Sequence, residues 1–460
     1  MGRIAIVGGG ISGLSAAWYL AKAGRPSILF DRMARRGGVI TTQTVEGCVI
    51  EGGPDSFLAA KPWAAELIGE LGLSGELIAS NDRQRVTYIW KGGRMVPLPD
   101  GLMMMVPTRI WPMVTTSLLG WPAKIRMGLE YFRTAAKPQC DRSVSDFVND
   151  HYGPEAVDYL AEPLLAGVYG GDPWQLSVNS VLTRFVELES QYGSLTRGVL
   201  AERRKAKNNR AAPLFQTLKG GLGVLVEVLE RKLEGRCDFR QAEVEAVARS
   251  ANGWLLRAGG ESVAVDQLVL ACPAHETALL LTGADAELSR LLASIPYSSS
   301  MTVALGYRKE EIKHRLNGFG FLVPKKDRKR MVACTWVGRK FSHRVPDQLV
   351  LLRCFLGGAD DEQILGEADE TVLQLLRDEL TEMMGITAPP LFHTIHRWAR
   401  SMAQYTVGHQ RRLELIEARR KLLPGLHLAG NAYSGIGIPD CIRTGKAAAE
   451  AVAGFSAPVT

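Results

Sequence analysis

The chain has 460 residues, is 46% hydrophobic and 22% charged, and carries a formal net charge of +7. These values fit a soluble globular protein of two or three domains and exclude a disordered or fibrous chain. The mild positive charge suits anionic small molecules or an anionic membrane surface, but the basic residues are dispersed and match no nucleic-acid-binding motif, so no nucleic-acid partner is expected.

The apolar run Ile4 to Val7 predicts a buried parallel strand. It ends in Gly8-Gly9-Gly10-Ile11-Ser12-Gly13, which fits G-x-G-x-x-G with Gly8, Gly10 and Gly13. A helix over about 11–23 follows, packed through Ala16, Ala17 and Leu20 and stopped by Gly24. A second strand, Ser27 to Phe30, delivers Asp31. This order builds a dinucleotide site. The glycine turn lets backbone approach a pyrophosphate at the helix start, where Ile11 and Ser12 lie, and the acid takes ribose hydroxyls. The competing reading is a glycine-rich βαβ turn without a ligand. It loses weight because strand, helix, strand and acid all occur in sequence.

Arg35-Arg36-Gly37-Gly38 and Glu51-Gly52-Gly53-Pro54-Asp55-Ser56-Phe57 come next. Their glycine pairs suggest further close approaches of backbone to a flat cofactor, and Arg36 could meet a phosphate. A helix is expected over 63–71. Residues 83–90 and 94–98 read as a hairpin turning on Gly92-Gly93.

The segment 101–129 has no acidic residue, and carries Met103, Met104, Met105, Trp111, Met113, Trp121 and the cations Arg109, Lys124 and Arg126. Pro107, Pro112 and Pro122 interrupt it, so no run is long enough to span a bilayer. It reads either as a monotopic lipid-facing surface or as a Met-rich helical cap over a pocket or core.

From Ser143 to about Ser180 the pattern is helical and then irregular through residues 162–172. RRKAKNNR at 203–210 reads as a solvated loop, and Gly220 to Gly223 introduce an amphipathic helix ending at Leu233. Strands are expected over 239–249, 254–258 and 268–271, then a strand-rich region over 301–356 and one helix over 362–384. Near the C-terminus, Leu426 to Gly430 predicts a strand running into a glycine. A small-residue helix from Cys441 follows, with Asp440 as its natural N-cap. Such a helix end could stabilise negative charge on a reduced isoalloxazine ring. An ordinary capped terminal helix is the alternative.

The cysteines Cys48, Cys140, Cys237, Cys272, Cys334, Cys354 and Cys441 never form a C-x-x-C pair. They point to reduced thiols in a cytoplasmic setting, with no disulfide framework and no metal site. His393-x-x-His396 lacks a third ligand and reads as two structural histidines. A cleaved leader is not expected, because its removal would destroy the dinucleotide site.

Several blocks together resemble one family. They are GGGISGL at 8–14, EGGPDSF at 51–57, EPLLAGVYGGDP at 162–173, LACPA at 270–274, QYTVGH at 404–409 and GNAYSGIGIPDCI at 430–442. Over nearly its whole length the chain is similar to the protoporphyrinogen/coproporphyrinogen oxidases of haem biosynthesis, within the flavin amine oxidase and phytoene desaturase class. Two departures stand out: Asp31 replaces the usual Glu with a shorter reach, and Ala403 replaces a usual Pro.

The resemblance implies an α/β fold, with a Rossmann-type FAD-binding domain, an interleaved α+β substrate domain and a helical part that could face a membrane. The FAD domain would comprise 1–86, 216–295 and 418–460. The substrate domain would comprise 87–100, 178–215 and 296–417, and the helical part 101–177. FAD would be held non-covalently by Gly8, Gly10, Ile11, Ser12, Gly13, Asp31, Arg36, Gly37, Gly38, Gly53, Pro54, Asp55, Val244, Gly430, Gly437 and Ile438. Cys441 is then a packed thiol rather than a covalent link. The implied reaction is the oxygen-linked, six-electron oxidation of a porphyrinogen, protoporphyrinogen IX first and coproporphyrinogen III as the alternative. A more distant alternative is an amine oxidase or carotenoid desaturase. No side chain need act as nucleophile, since the flavin accepts hydride. Arg85 and Lys61 are the expected substrate cations. The expected partners are porphyrinogen, molecular oxygen, a membrane surface on the inner face and a second copy in a homodimer.

Overall fold

The first strand, Ile4–Val7, is buried on both faces, as its four consecutive apolar residues require of a central parallel strand. It is the middle strand of a five-stranded parallel sheet with strand order 237–241, 27–31, 4–7, 267–270, 426–428. The computed structural model describes residues 2–135, 140–205 and 213–454. Both sheet faces are covered. On one side lie the helices Ile11–Lys22, Gly223–Leu233 and Ile438–Ala453, and on the other a small antiparallel sheet with the helices Ala274–Leu281 and Ala286–Ala293.

The strand expected over 239–249 is two strands. Cys237–Gln241 pairs in parallel with Ser27–Asp31, and Val244–Ser250 starts a separate three-stranded antiparallel sheet. The chain breaks between them where Ala242 N donates to Asp31 O (3.0 Å), which closes the parallel pairing.

A second, seven-stranded sheet runs 392–403, 297–308, 349–357, 333–336, 320–322, 87–91, 94–97. Its only parallel pair among the described residues joins 320–322 to 87–91. The hairpin turn at Gly92 and Gly93 has φ of 55° and 78°, a left-handed pair that matches strand twist. Residues 83–86 precede this sheet as a short 3-10 turn and loop, because Val86 spends its carbonyl on Phe319 N (2.8 Å) before pairing begins.

The helical part has its own core. Met105, Met113, Leu118, Leu119, Phe147, Tyr152, Leu160 and Leu165 pack there with Val178, Leu182, Phe185, Leu188, Leu195 and Val199. Residues 178–199, grouped above with the substrate strands, therefore share the helical core instead. Their apolar face is helical in period and has no strand to pair with. Arg203 to Lys205 end the helix Leu195–Lys205, and 206–210 of the basic run lie outside the described residues.

Residues 162–169, expected to be irregular, form a helix preceded by a π turn at Val157–Ala161. Pro163 is tolerated in its first turn, and Gly170 closes it in the left-handed conformation (φ 54°). The helix expected over 362–384 is a 3-10 turn, Glu362–Gly366, followed by a helix Asp369–Met384 that begins after the extended Ala368.

The segment 101–129 divides its apolar residues between two surfaces. Ala123 and Met127 are buried, while Trp121, Ile125 and Leu129, with Phe132 just beyond the segment, are 60–74% exposed along the opposite side. No described helix is long and apolar enough to cross a membrane.

Candidate active site

The glycine turn sits at the carboxyl end of the central strand, where bound groups gather in parallel sheets. A side chain at Gly13 would overlap Gly8 O, and one at Gly8 (φ 106°) would press on the Ala271–Cys272 peptide. At Gly10 an added Cβ meets no protein atom within 4 Å. Gly8 and Gly13 therefore allow helix and strand to close, whereas Gly10 borders open space. Asp31 accepts from Gly9 N at 2.6 Å and Met33 N at 2.7 Å. It rigidifies the turn and keeps lone pairs free for a hydroxyl.

The second glycine pair packs on the first. Gly37 N donates to Gly9 O (2.8 Å), and a side chain at Gly38 would come 3.3 Å from Gly10 Cα. Arg36 runs past Gly9, pairs with Glu230 at 2.9 Å and stacks on Phe239 at 4.2 Å. Its guanidinium is anchored beside the glycine turn. Val244 is buried just beyond Asp31, at the start of its strand.

The Glu51–Phe57 block is clamped from the other sheet. Gly52 O accepts from Thr302 Oγ1 (2.6 Å) and Trp398 Nε1 (2.7 Å), and Gly53 O accepts from Arg353. A side chain at Gly53 would overlap Val39 O, so only glycine fits. Pro54 is half-buried beside it. Asp55 is committed to Lys340 at 2.9 Å, with Arg353 at 3.9 Å. Burial alone would raise its carboxyl, but the two cations outweigh it and hold the group well below the carboxylate range. Glu51 accepts from Arg344 (2.8 Å), Thr42 Oγ1 (2.5 Å) and Leu222 N (2.8 Å), fully buried.

The third component is the loop before the C-terminal helix. That helix starts at Ile438, not Cys441, with Gly437 as N-cap and no side-chain cap. Asp440 lies inside the first turn rather than at the cap, because Pro439 fits the early helical position and moves the start upstream. A side chain at Gly435 would strike the Asp440 carboxylate, which in turn binds Lys61 at 2.6 Å. Gly435 N donates to Tyr405 OH (2.8 Å), and that hydroxyl donates to Asn431 O (2.7 Å). Gly430 N donates to Thr444 Oγ1 at 3.1 Å. A side chain at Gly445 would overlap Ser12 O, so the terminal helix lies directly against the dinucleotide helix. Ile11 and Ile438 meet in the same core.

The helix starts at Gly10 and Gly437 have no side-chain cap, so each leaves backbone N–H groups available. The donor set and the open side of Gly10 fit a flavin dinucleotide: anions at the first helix and an electron-rich ring edge at the second.

The block 162–173 lies against Gln404 and near Asp440. Gln404 Nε2 donates to Tyr169 O and Ser298 Oγ, both at 2.9 Å. Burial first, and then the Asp440 charge, push the Tyr169 hydroxyl up to about 12. Cys441 is a packed thiol pushed up to about 12, mainly by burial. Arg85 is exposed just before the 87–91 strand. His396 stacks on Trp398 against Gly52, and no group of three metal-ligating residues occurs among the described residues. The cations Lys340, Arg344 and Arg353 escaped sequence reasoning. They come from about 290 residues downstream of their partners, and no local pattern marks them.

These features define a flavin-dependent oxidoreductase with a mixed α/β fold. The family described as flavin containing amine oxidoreductase matches residues 11–453, and the chain belongs to it. It is 33% identical over 460 residues to a coproporphyrinogen III oxidase of Bacillus subtilis (strain 168), covering 97% of each chain. It is 25% identical to the chloroplastic/mitochondrial protoporphyrinogen oxidase 2 of Arabidopsis thaliana, covering 98% of this chain and 94% of that one. The crystal structure of a provisionally named protoporphyrinogen oxidase from Exiguobacterium sp. 255-15 superposes with a TM-score of 0.88 at 30% identity, over 99% of both chains.

Proposed function

We propose that this protein oxidises a porphyrinogen to the porphyrin in haem biosynthesis, with FAD held non-covalently and oxygen as the final acceptor. The observation that carries the reading is the junction at Gln404 and Tyr405. It ties the 162–173 block to the loop 430–437 through Tyr169 O, Asn431 O and Gly435 N. The block that carries the porphyrinogen resemblance is thereby held beside the flavin-facing loop. When bound, FAD would supply the hydride acceptor for three two-electron oxidations of the macrocycle, with oxygen taking the electrons from it.

The chain's own residues bind and orient. Gly8, Gly10, Ile11, Ser12 and Gly13 would take the pyrophosphate and Asp31 the ribose, with Arg36, Gly37, Gly38 and Val244 flanking them. Gly53, Pro54 and Asp55, braced by Lys340 and Arg353, would fix one side of the ring, and Gly430, Gly437 and Ile438 the other. Lys61, already paired with Asp440, tunes charge at that loop, while Arg85 keeps an exposed cation for a substrate carboxylate.

Protoporphyrinogen IX and coproporphyrinogen III share this chemistry. Relatives named for each substrate match the chain over nearly its whole length, so protoporphyrinogen IX stands first and coproporphyrinogen III beside it as the alternative. Anaerobic addition of either porphyrinogen should bleach the yellow flavin spectrum, and aerobic turnover should yield a fluorescent porphyrin. A spectrum left unbleached by both would overturn the reading.

The reading extends to a membrane surface at the helical part. Trp121, Ile125, Leu129 and Phe132 form one exposed apolar side, Ile110 and Trp111 are exposed as well, and Lys124 lies 4.8 Å from the Trp121 ring. Tryptophans beside cations suit the boundary between headgroups and acyl chains.

A further inference from the structure

A cavity of about 310 Å³ lies where the residues before the 87–91 strand meet the loop 314–319 and the short helix Val337–Lys340. Its lining is Gln84, Arg315, Leu316, Asn317 and Arg339. We infer that this cavity is a carboxylate subsite, and that its occupant is a propionate arm of the substrate. The inference rests on the porphyrinogen reading above.

The lining carries two guanidinium and two carboxamide groups and no acid. Among the described residues, none of these four side chains has a hydrogen-bond or ion-pair partner, although Arg339 is half-buried. The guanidinium groups nearer the glycine blocks are spent. Arg344 and Arg353 bind the Glu51–Asp55 block, and Arg328 is bound to Glu162 at 2.6 Å. Arg315 is exposed and Arg339 half-buried on this lining, so two guanidiniums border one open pocket with no carboxylate, and a bidentate anion would meet both charges.

The wall is also strained and braced. Leu316, buried, holds φ at 44°, a left-handed conformation that is costly for leucine. The loop is fixed there by Leu316 N to His314 Nδ1 (3.2 Å), Tyr88 OH to Asn317 O (2.8 Å) and Phe319 N to Val86 O (2.8 Å). Strain retained by three separate contacts marks a shape that the fold maintains.

Position connects the cavity to the site. Arg339 adjoins Lys340, whose ammonium holds Asp55 and whose carbonyl accepts Asn81 N (3.0 Å). Gln84 adjoins Arg85. The volume admits a carboxyethyl arm but not a macrocycle, so the ring stays outside and one arm enters. A substrate with four such arms gains more from the extra cations than one with two.

The test is steady-state fluorescence kinetics of the holoenzyme with both porphyrinogens, for wild type, Arg339→Gln, Arg339→Lys and Arg315→Gln/Arg339→Gln. Loss of one charge-assisted contact is expected to lower kcat/KM for coproporphyrinogen III about tenfold, mainly through KM. The double variant should lose more and Arg339→Lys less. For protoporphyrinogen IX the loss should be smaller, and flavin content and thermal midpoint should be retained throughout. Wild type active on a porphyrinogen, with unchanged KM in the double variant, would overturn the subsite alone. Wild type inert to both would overturn the porphyrinogen reading, and with it the propionate. Weakened binding of inorganic phosphate in the variants, with porphyrinogen kinetics unmoved, would assign the cavity to a free anion and also overturn the inference.

Discussion

Lys61 Nζ lies 2.6 Å from Asp440 Oδ2, joining positions 379 residues apart beside the loop proposed to face the flavin. Asp440 is only 4% exposed at its side chain and Lys61 39%, so the lysine is what compensates a buried carboxylate. Lys61→Met should destabilise the holoprotein by about 1–3 kcal/mol and lower the flavin midpoint potential, because an unpaired negative charge then faces the reduced ring. Adding Asp440→Asn should restore most of both. Thermal denaturation and a potentiometric dye titration measure them. If Lys61→Met alters KM alone, Lys61 is a substrate contact and not a charge partner of Asp440.

Gly10 and Gly13 should separate ligand binding from folding. A methyl group at Gly13 overlaps Gly8 O, so Gly13→Ala should destabilise the apoprotein by several kcal/mol. At Gly10 the methyl meets only open space, at an ordinary φ of −69°. Gly10→Ala should leave the apoprotein midpoint within about 0.5 kcal/mol and weaken FAD binding tenfold or more. Apoprotein melting and a flavin fluorescence titration check the pair. Equal FAD affinity in Gly10→Ala and wild type would remove Gly10 from the cofactor contact.

The contrast between these two residue pairs shows what the sequence carried. The glycine turn, its helix and Asp31 are contiguous, and their order alone implies the strand–helix–strand unit that the structure contains. Asp440 was legible as a helix-start residue but was misplaced by one turn. Propensity favours Asp at the cap, whereas Pro439 and Gly437 fix the real start upstream. Residues 162–169 looked irregular because Pro163 and the glycines obscure a helical period that burial in the helical core supports. Lys340, Arg344 and Arg353 were invisible, since their partners Glu51 and Asp55 meet them only through tertiary packing.

The Glu51–Arg344 pair is fully buried, and its guanidinium also donates to Thr217 Oγ1 at 2.7 Å. Arg344→Met leaves Glu51 with only Thr42 and Leu222 as donors and should cost about 3–5 kcal/mol in urea unfolding. Glu51→Gln/Arg344→Met should recover part of that loss, because no lone charge then remains buried. A double variant no more stable than the single one would mean that packing of the arginine stem, not charge, is the larger contribution.

Acid should loosen the helical part first. His151 lies between Glu130 (2.9 Å) and Glu189 (3.1 Å), and Glu130 also accepts from Ser194 Oγ, Leu195 N and Thr196 N. Burial opposes ionisation of both carboxyls, but these hydrogen bonds, with Arg142 at Glu189, outweigh it and hold both below the ordinary 4.5. A depressed folded pKa gives stability that is complete above the unfolded value and is lost as pH falls through the folded one. Susceptibility of 101–205 to pepsin, which is active in acid, should therefore rise below about pH 4.5. Glu130→Gln should be less stable by about 2–4 kcal/mol at neutral pH and should show a shallower acid dependence. An acid profile unchanged in Glu130→Gln would place the sensitive groups elsewhere.

Glu130 also anchors the end of the helix whose outer side is apolar, so the same segment is rigid inward and greasy outward. Trp121, Ile125, Leu129 and Phe132 recur at helical spacing on one side, while Ala123 and Met127 hold the other in the core. Replacing all four outer residues by serine should change folding stability by no more than about 0.5 kcal/mol per site, since little burial is lost. The same change should abolish co-flotation with anionic liposomes, which wild type is expected to show at low salt and to lose in part at high salt as Lys124 and Arg126 are screened. A wild-type protein that never floats would overturn the membrane reading. A quadruple variant that floats equally well would move the contact to another surface.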